Sequence, residues 1–144
     1  MSLRESIAAN IVTTLRAATT PTEIKYVTRE PFDFTKLSNA QFPAILVRTG
    51  TEEREDSSIM GAGSRRSGII DYQLVCYVKA QAIDTARNNM IETVEEALEA
   101  DRTRNGYAVD TQVVAVEIDD GSIDPIGGVI ITVEIMYTYT RGDT

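Results

Sequence analysis

Apolar and polar positions alternate most regularly near the middle of the chain. Between residues 67 and 79, apolar side chains occupy every second position, namely Ile70, Tyr72, Leu74, Cys76 and Val78. This period of two predicts a β-strand with one buried face. The next residues change to steps of three and four, which predict an amphipathic helix with the apolar stripe Ile83, Ala86, Met90, Ile91, Val94, Ala97 and Leu98. A helix with one apolar stripe packs on a sheet with one apolar face, so the unit predicts a two-layer α+β domain.

The two helices carry recognisable start signals. Asp84 stands where the N-cap of the central helix is expected, with a carboxylate able to accept from free backbone N–H groups. Residues 2–5 read as a capping box, Ser2 to Glu5, that opens an N-terminal helix. The buried face predicted for that helix is Leu3, Ile7, Ala8, Ile11, Leu15 and Ala18.

Four further segments read as strands: residues 24–29, 44–51, 113–118 and 129–140. In the last of them, one face holds Val129, Ile131, Val133, Ile135, Tyr137 and Tyr139. The predicted fold is therefore α+β, a mostly antiparallel sheet packed by two helices in the order αβββαββ, with the last two strands as a hairpin. We expect residues 1–144 to form a single domain.

Two segments show no periodicity. Residues 31–43 contain Phe32, Phe34, Leu37 and Phe42, which either pack beneath their own loop or face a partner chain; packing is expected for most of them. Residues 53–66 are rich in acids, arginines, serines and glycines and predict a flexible loop. Long loops in compact domains tend to be functional, which makes this segment the first candidate for partner binding.

The charge balance narrows the function classes. The 144 residues contain 14 Lys and Arg against 22 Asp and Glu, a formal net charge of −8. Such a chain is a poor nucleic-acid binder, because phosphate contacts need clustered cations. The negative net charge is compatible with a surface along which DNA only passes, since a wall that repels a polyanion lets it slide. No signal peptide and no membrane-length apolar run is seen, so we expect a chain that stays in the cytoplasm where it is made.

Catalytic chemistry has little support in the residues. Histidine is absent, which removes the usual nucleophile pairs and most zinc or iron sites. The glycines at 61–68 match neither a dinucleotide fingerprint nor a P-loop, because the required glycine and lysine are missing. Asp119, Asp120 and Asp124 lack the glutamate of an EF-hand loop. The lone Cys76 is expected to be a buried apolar side chain, and we expect neither a cofactor nor enzymatic activity.

The order of elements is similar to that of a known family. An N-terminal helix, SLRESIAANIVTTLRA, precedes an extended segment that enters a strand through a Phe-Pro step, QFPAILV, at residues 41–47. A charged loop, a strand feeding a helix, and a terminal hairpin follow. This arrangement resembles the tail terminator (tail completion) proteins of long-tailed bacteriophages, over nearly the whole chain.

The resemblance implies a structural virion protein of the tail and neck, assembled in the host cytoplasm. It implies a ring, commonly hexameric, that caps the tail tube, stops its polymerisation and joins the tail to the head-closure or connector protein. DNA passes through the lumen of such a ring without specific binding. The loop at 53–66 would then order on the tube, with the candidate partner-binding residues Arg54, Glu55, Asp56, Ile59, Met60, Arg65 and Arg66.

Two alternatives stay open. One is another neck or tail subunit, such as a head-closure or tube-like protein, which shares size, acidity and α+β composition. A small-molecule-binding or enzymatic α+β domain is the third reading, and it predicts thermal stabilisation by a ligand.

Overall fold

The computed structural model describes residues 3–33, 36–56, 65–118 and 126–140. Within them, two helices and five strands follow the order αβββαββ, which confirms the α+β prediction. The elements are α1 Leu3–Arg16, β1 Tyr26–Thr28, β2 Ala44–Asp56, β3 Arg65–Lys79, α2 Ile83–Glu99, β4 Asp110–Ile118 and β5 Ile126–Thr140. A short 3₁₀ helix, Asn39–Gln41, precedes β2.

The strands form one sheet in the order β1-β2-β3-β5-β4. The pair β1–β2 is parallel, and all other neighbours are antiparallel. The last two strands pair as the predicted hairpin, which places β4 at one edge of the sheet. The three-residue β1 lies at the other edge, so the long strands β3 and β5 form the centre.

Both helices contribute to a core on one face of the sheet, called here the inner face. Helix α2 contacts β3 and β5, while α1 contacts β1 and packs beside α2. The alternating residues predicted for β3 and β5 are all buried on this face, and Cys76 is fully buried among them. Burial raises the pKa of the Cys76 thiol, which confirms it as an apolar core residue and keeps it protonated at neutral pH.

Part of the opposite, outer face is covered by residues 31–43. The Phe32 ring lies between Tyr26 and Tyr77, with centroid distances of 5.6 and 5.8 Å and edge-to-face geometry. Phe42 is buried, and Leu37 is half-buried. The packing expected for this segment is therefore confirmed at Phe32 and Phe42, whereas Phe34 lies outside the described residues.

The start of α2 differs from the prediction. The helix begins at Ile83 with Ala82 as N-cap, and no side chain caps it. Asp84 lies inside the first turn, so the N-cap assigned to it was wrong; its carboxylate remains near the positive end of the helix dipole. The residue Ser2 of the predicted capping box lies outside the described residues.

The strands β2 and β3 are longer than predicted. Strand β2 continues to Asp56, and β3 already begins at Arg65. Their antiparallel ladder pairs Arg54 with Gly68 and Asp56 with Arg66. The ends of the segment 53–66, expected to be loop, are therefore strand, and residues 57–64 lie outside the described residues.

Candidate partner-binding surfaces

The paired strand ends at residues 52–56 and 65–68 are called the arm. Its base is fixed to the first turn of α1, because Arg4 Nε lies 2.7 Å from Glu52 Oε1. Beyond this contact, β2 and β3 continue as a ladder to Asp56 and Arg66, and β3 remains paired with β5 as far as Thr140. The arm is therefore the end of a three-stranded part of the sheet, with its base held on the inner face.

Glu52 is the centre of that anchor. Its second oxygen, Oε2, accepts from Arg54 Nε at 2.5 Å and from Tyr137 Oη at 2.5 Å. Arg54 in turn donates to Tyr139 Oη at 3.1 Å, and its guanidinium carbon lies 4.9 Å from the centroid of the Tyr139 ring. The rings of Tyr137 and Tyr139 stack at 5.6 Å. Hydrogen bonds to a charged group are strong in a partly buried site. The network therefore links β2 to β5 firmly across β3.

The electrostatics favour the charged form of this network. Burial acts to raise the pKa of Glu52, but the hydrogen bonds from Arg54 and Tyr137, with the charges of Arg54 and Arg4, lower it overall. Burial and the adjacent Glu52 carboxylate raise the pKa of Tyr137. The carboxylate therefore stays ionised and the phenol stays protonated at neutral pH.

Gly68 leaves room for the anchor because it has no side chain. A Cβ atom on Gly68 would lie 2.7 Å from Tyr137 Cε1 and 3.2 Å from Glu52 Oε2. Real Cβ atoms do not come this close to a packed ring, so the position requires glycine. Gly68 therefore lets the Tyr137 ring lie flat across β3 and reach Glu52.

The predicted partner-binding residues separate into two groups. Arg54, Glu55, Asp56, Arg65 and Arg66 all lie in the strands of the arm. The side chain of Arg54 is committed to Glu52 and Tyr139 and remains 30% exposed. Ile59 and Met60 lie outside the described residues. The structure thus brings five of the seven predicted residues into one ladder, and their role in binding stays a prediction.

A second surface was missed by the sequence reading: the edge strand β4. Val114, Val116 and Ile118 are 44%, 40% and 47% exposed. Val116 and Ile118 pair with the buried Ile131 and Val129, so they extend the inner face beyond the reach of α2. A bulge between Val113 and Ala115 displaces Val114 from the ladder. An exposed apolar row on a free strand edge is a typical association surface.

The outer face of the sheet has a different character. Asp71 and Glu134 stand opposite each other in the β3–β5 ladder, and Glu53 and Glu117 lie on the same face. Among the described residues of this face, Arg48 contributes a guanidinium, bonded to Gln73 Oε1 at 2.6 Å. Among the described residues, the face therefore holds these four carboxylates against the cations Arg48 and Lys79, beside hydroxyl groups and the exposed, apolar Met136.

A third feature, also missed, is structural. Arg104 is fully buried in the connection between α2 and β4, with a left-handed φ of 50°. It donates to Thr111 Oγ1 at 3.1 Å and Asn10 Oδ1 at 3.3 Å, and to the carbonyl oxygens of Leu98 and Asp101. The Leu98 carbonyl lies in the last turn of α2, where helices leave acceptors unpaired, and the Asp101 carbonyl lies just beyond the helix end. Arg104 therefore ties α1, α2 and β4 together.

In the part of the chain that the structure describes, no group of three potential ligands lies close enough to hold a metal ion. Across those same residues, none of the helices combines the length and apolar character needed to span a bilayer.

Comparison with known proteins gives one informative result. No protein-family profile matches the chain, and no curated protein sequence matches it. Among solved structures, a chain of one titled "Virion of native gene transfer agent (GTA) particle" has a similar fold, with a TM-score of 0.52 and 10% identity. The match covers 96% of this chain and 98% of that chain. The likeness therefore extends to the whole domain and concerns the fold.

Proposed function

We propose that the chain is a structural virion protein of a long-tailed phage or phage-like particle, and that it acts as the tail terminator. The observation that carries the proposal is the fold match, end to end, with a chain from a gene transfer agent virion. In this role the protein forms a ring on the tail tube, stops tube polymerisation and presents a surface to the head connector. It acts by surface complementarity, without a cofactor.

The arm is the proposed contact with the tail tube. Its base is held by Glu52 between Arg4, Arg54 and Tyr137. In its ladder Arg66 stands opposite Asp56, so the arm carries charges of both signs. The sequence between the two strands, residues 57–64, includes Ile59 and Met60, which are proposed to supply the apolar part of the contact.

The acidic outer face supports passage of DNA through the ring. Asp71, Glu134 and Glu117 repel phosphate, which keeps a polyanion from adhering to the wall. A lumen formed by this face needs no specific base or phosphate contacts.

The test is a tube-polymerisation assay with the purified tail tube protein. Terminator activity predicts that added protein caps tube ends, so tubes stop lengthening, as measured by negative-stain electron microscopy. The double variant Ile59→Asp/Met60→Asp should lose capping. The matched control is Ser57→Asp/Ser58→Asp, which adds the same charge to the same segment without removing apolar side chains.

The result also separates the alternatives. Tubes that elongate normally beside the native protein would sink the terminator role. Labelling of the protein at the head side of the neck in intact particles would then favour a head-closure role.

A further inference from the structure

Among the residues that the structure describes, the sheet ends at β4 on one side of the molecule and at β1 on the other. Strand β4 exposes a nine-residue edge, Asp110–Ile118, that contains neither lysine nor proline. On the other side, β1 pairs only with Ala44, Ile45 and Leu46. From Val47 onward, β2 has no strand on that side among the described residues. Unpaired backbone N–H and C=O groups at such edges are ready to accept another strand.

A groove marks the place where β1 ends. It has a volume of about 530 Å³ and is lined by Arg29, Glu30, Val47, Arg48 and Thr49. Arg48 lies on the outer face of β2, as its register with Gln73 shows. Glu117 lies on the outer face of β4, opposite Ile130. The groove therefore holds a cation on the same face of the sheet where the β4 edge holds an anion.

We propose that β4 of one copy docks along the groove beside β2 of the next copy and extends its sheet. This inference rests on the proposed function, which requires the chain to assemble with itself, and it names the two surfaces that meet. The exposed Val114, Val116 and Ile118 are covered by the neighbouring copy, and Glu117 pairs with Arg48.

A second copy fits these surfaces better than a different partner does. The edges of β2 and β4 belong to one sheet and face opposite ways, about 14 Å apart for three strand spacings of about 4.8 Å. A contact between two different edges is heterologous, so it repeats from copy to copy, and it makes a ring when the rotation between copies closes. Pairing β4 with β4 would instead be isologous and stop at a dimer.

A cysteine pair tests this geometry directly. The variant Arg48→Cys/Glu117→Cys, oxidised at high protein concentration, should give a ladder of dimers, trimers and larger covalent species on a non-reducing gel. Each single variant serves as a control and should stay monomeric. The native Cys76 is buried and does not contribute to crosslinks.

The outcomes against the proposal are equally definite. Efficient dimers from Glu117→Cys alone would assign a β4–β4 contact and overturn it. A double variant that stays monomeric would also overturn the proposal. This holds when the native protein sediments as oligomers, and it holds when the native protein remains a monomer in solution and on tail tubes.

A charge on the β4 edge gives an independent readout. Val116→Glu should weaken self-association by about tenfold or more in sedimentation, because docking would bury a carboxylate without a partner. Met136→Glu is the control, since Met136 is 41% exposed but lies on the outer face of β5. Both sites are exposed, so both variants should fold, which circular dichroism checks.

The inference and the proposed function fail separately. A covalent ladder from a protein that does not cap tubes would retain the docking surfaces and remove the terminator role. Capping that survives in Val116→Glu with unchanged self-association would retain the role and remove these surfaces.

Discussion

Arg104 and Arg54 both join separate elements through one guanidinium, but their partners differ in kind. Arg104 is fully buried and bonded to neutral oxygens of α1, α2 and β4. Arg54 is 30% exposed and bonded to the Glu52 carboxylate and to a tyrosine. Burial lowers the pKa of Arg104, whereas the hydrogen bond that Arg54 donates to Glu52 raises the pKa of Arg54. The first centre holds the fold together, and the second sets the direction of an arm.

Of the two arginine centres, Arg104 should give the larger loss of stability when it is replaced. Replacing it by alanine should lower the free energy of unfolding by about 3 kcal/mol, because it leaves a cavity and several buried acceptors without donors. Urea denaturation followed by circular dichroism measures this. The control is Arg102→Ala, which removes the same side chain from an exposed position in the same connection. Equal losses in the two variants would contradict the structural role.

Glu52→Gln should cost less, about 1–3 kcal/mol. The amide preserves the shape of the carboxylate but leaves Arg4 and Arg54 without a counter-charge. Glu53→Gln, an exposed neighbour on the outer face, is the matched control. The expected signature is a fall in the thermal midpoint of the first variant alone, together with faster proteolysis of the arm.

Of the two arginine centres, only the one formed by Arg54 and Glu52 should lose stability in acid. The pKa of Glu52 is lowered from its usual 4.5 in the folded state, so its contribution is fully present above pH 4.5 and is lost as the pH falls through the lower folded value. The difference in unfolding free energy between native protein and Glu52→Gln should therefore shrink below pH 4.5. A difference that stays constant down to pH 3 would argue that the carboxylate is not stabilised by its arginines.

The smallest effect is expected at the surface pair Arg102–Asp110. Its nitrogen and oxygen atoms lie 2.6 Å apart, but both side chains are more than 40% exposed. Solvent and salt screen such pairs, so Asp110→Asn should leave the thermal midpoint unchanged within error. A clear loss would mean that this connection stabilises the fold through more than Arg104.

The sequence predicted the fold correctly where the alternation of apolar and polar residues was the only determinant. The alternation in β3 and β5 was correct at every inner-face residue, because both strands are covered by helices along that face. The arm was misread as loop, since its charged residues look solvated until Glu52 and Arg54 meet tyrosines from a distant strand. Arg104 was likewise hidden in a polar linker. Val116 and Ile118 follow the alternation correctly, and only the position of α2 leaves them exposed.

The candidate site was only partly accessible to such reasoning. Five of the seven residues proposed from the charge at 53–66 lie in one ladder, and their role in binding stays a prediction. The β4 edge gave no local signal, because an edge strand and a central strand share the same alternation. Which strand is outermost is set by the connection through α2, and that is a property of the whole topology.

The single thiol gives the chain a built-in reporter of its own opening. Cys76 is paired with Ile45 and Val129 at the centre of the sheet and has no exposed surface. A disulfide reagent can therefore reach it only when the helices leave the inner face or the sheet opens, and the labelling rate then follows the population of that open state. The proposed self-association should slow the labelling by mass action, so the same reaction reads out association without an engineered label.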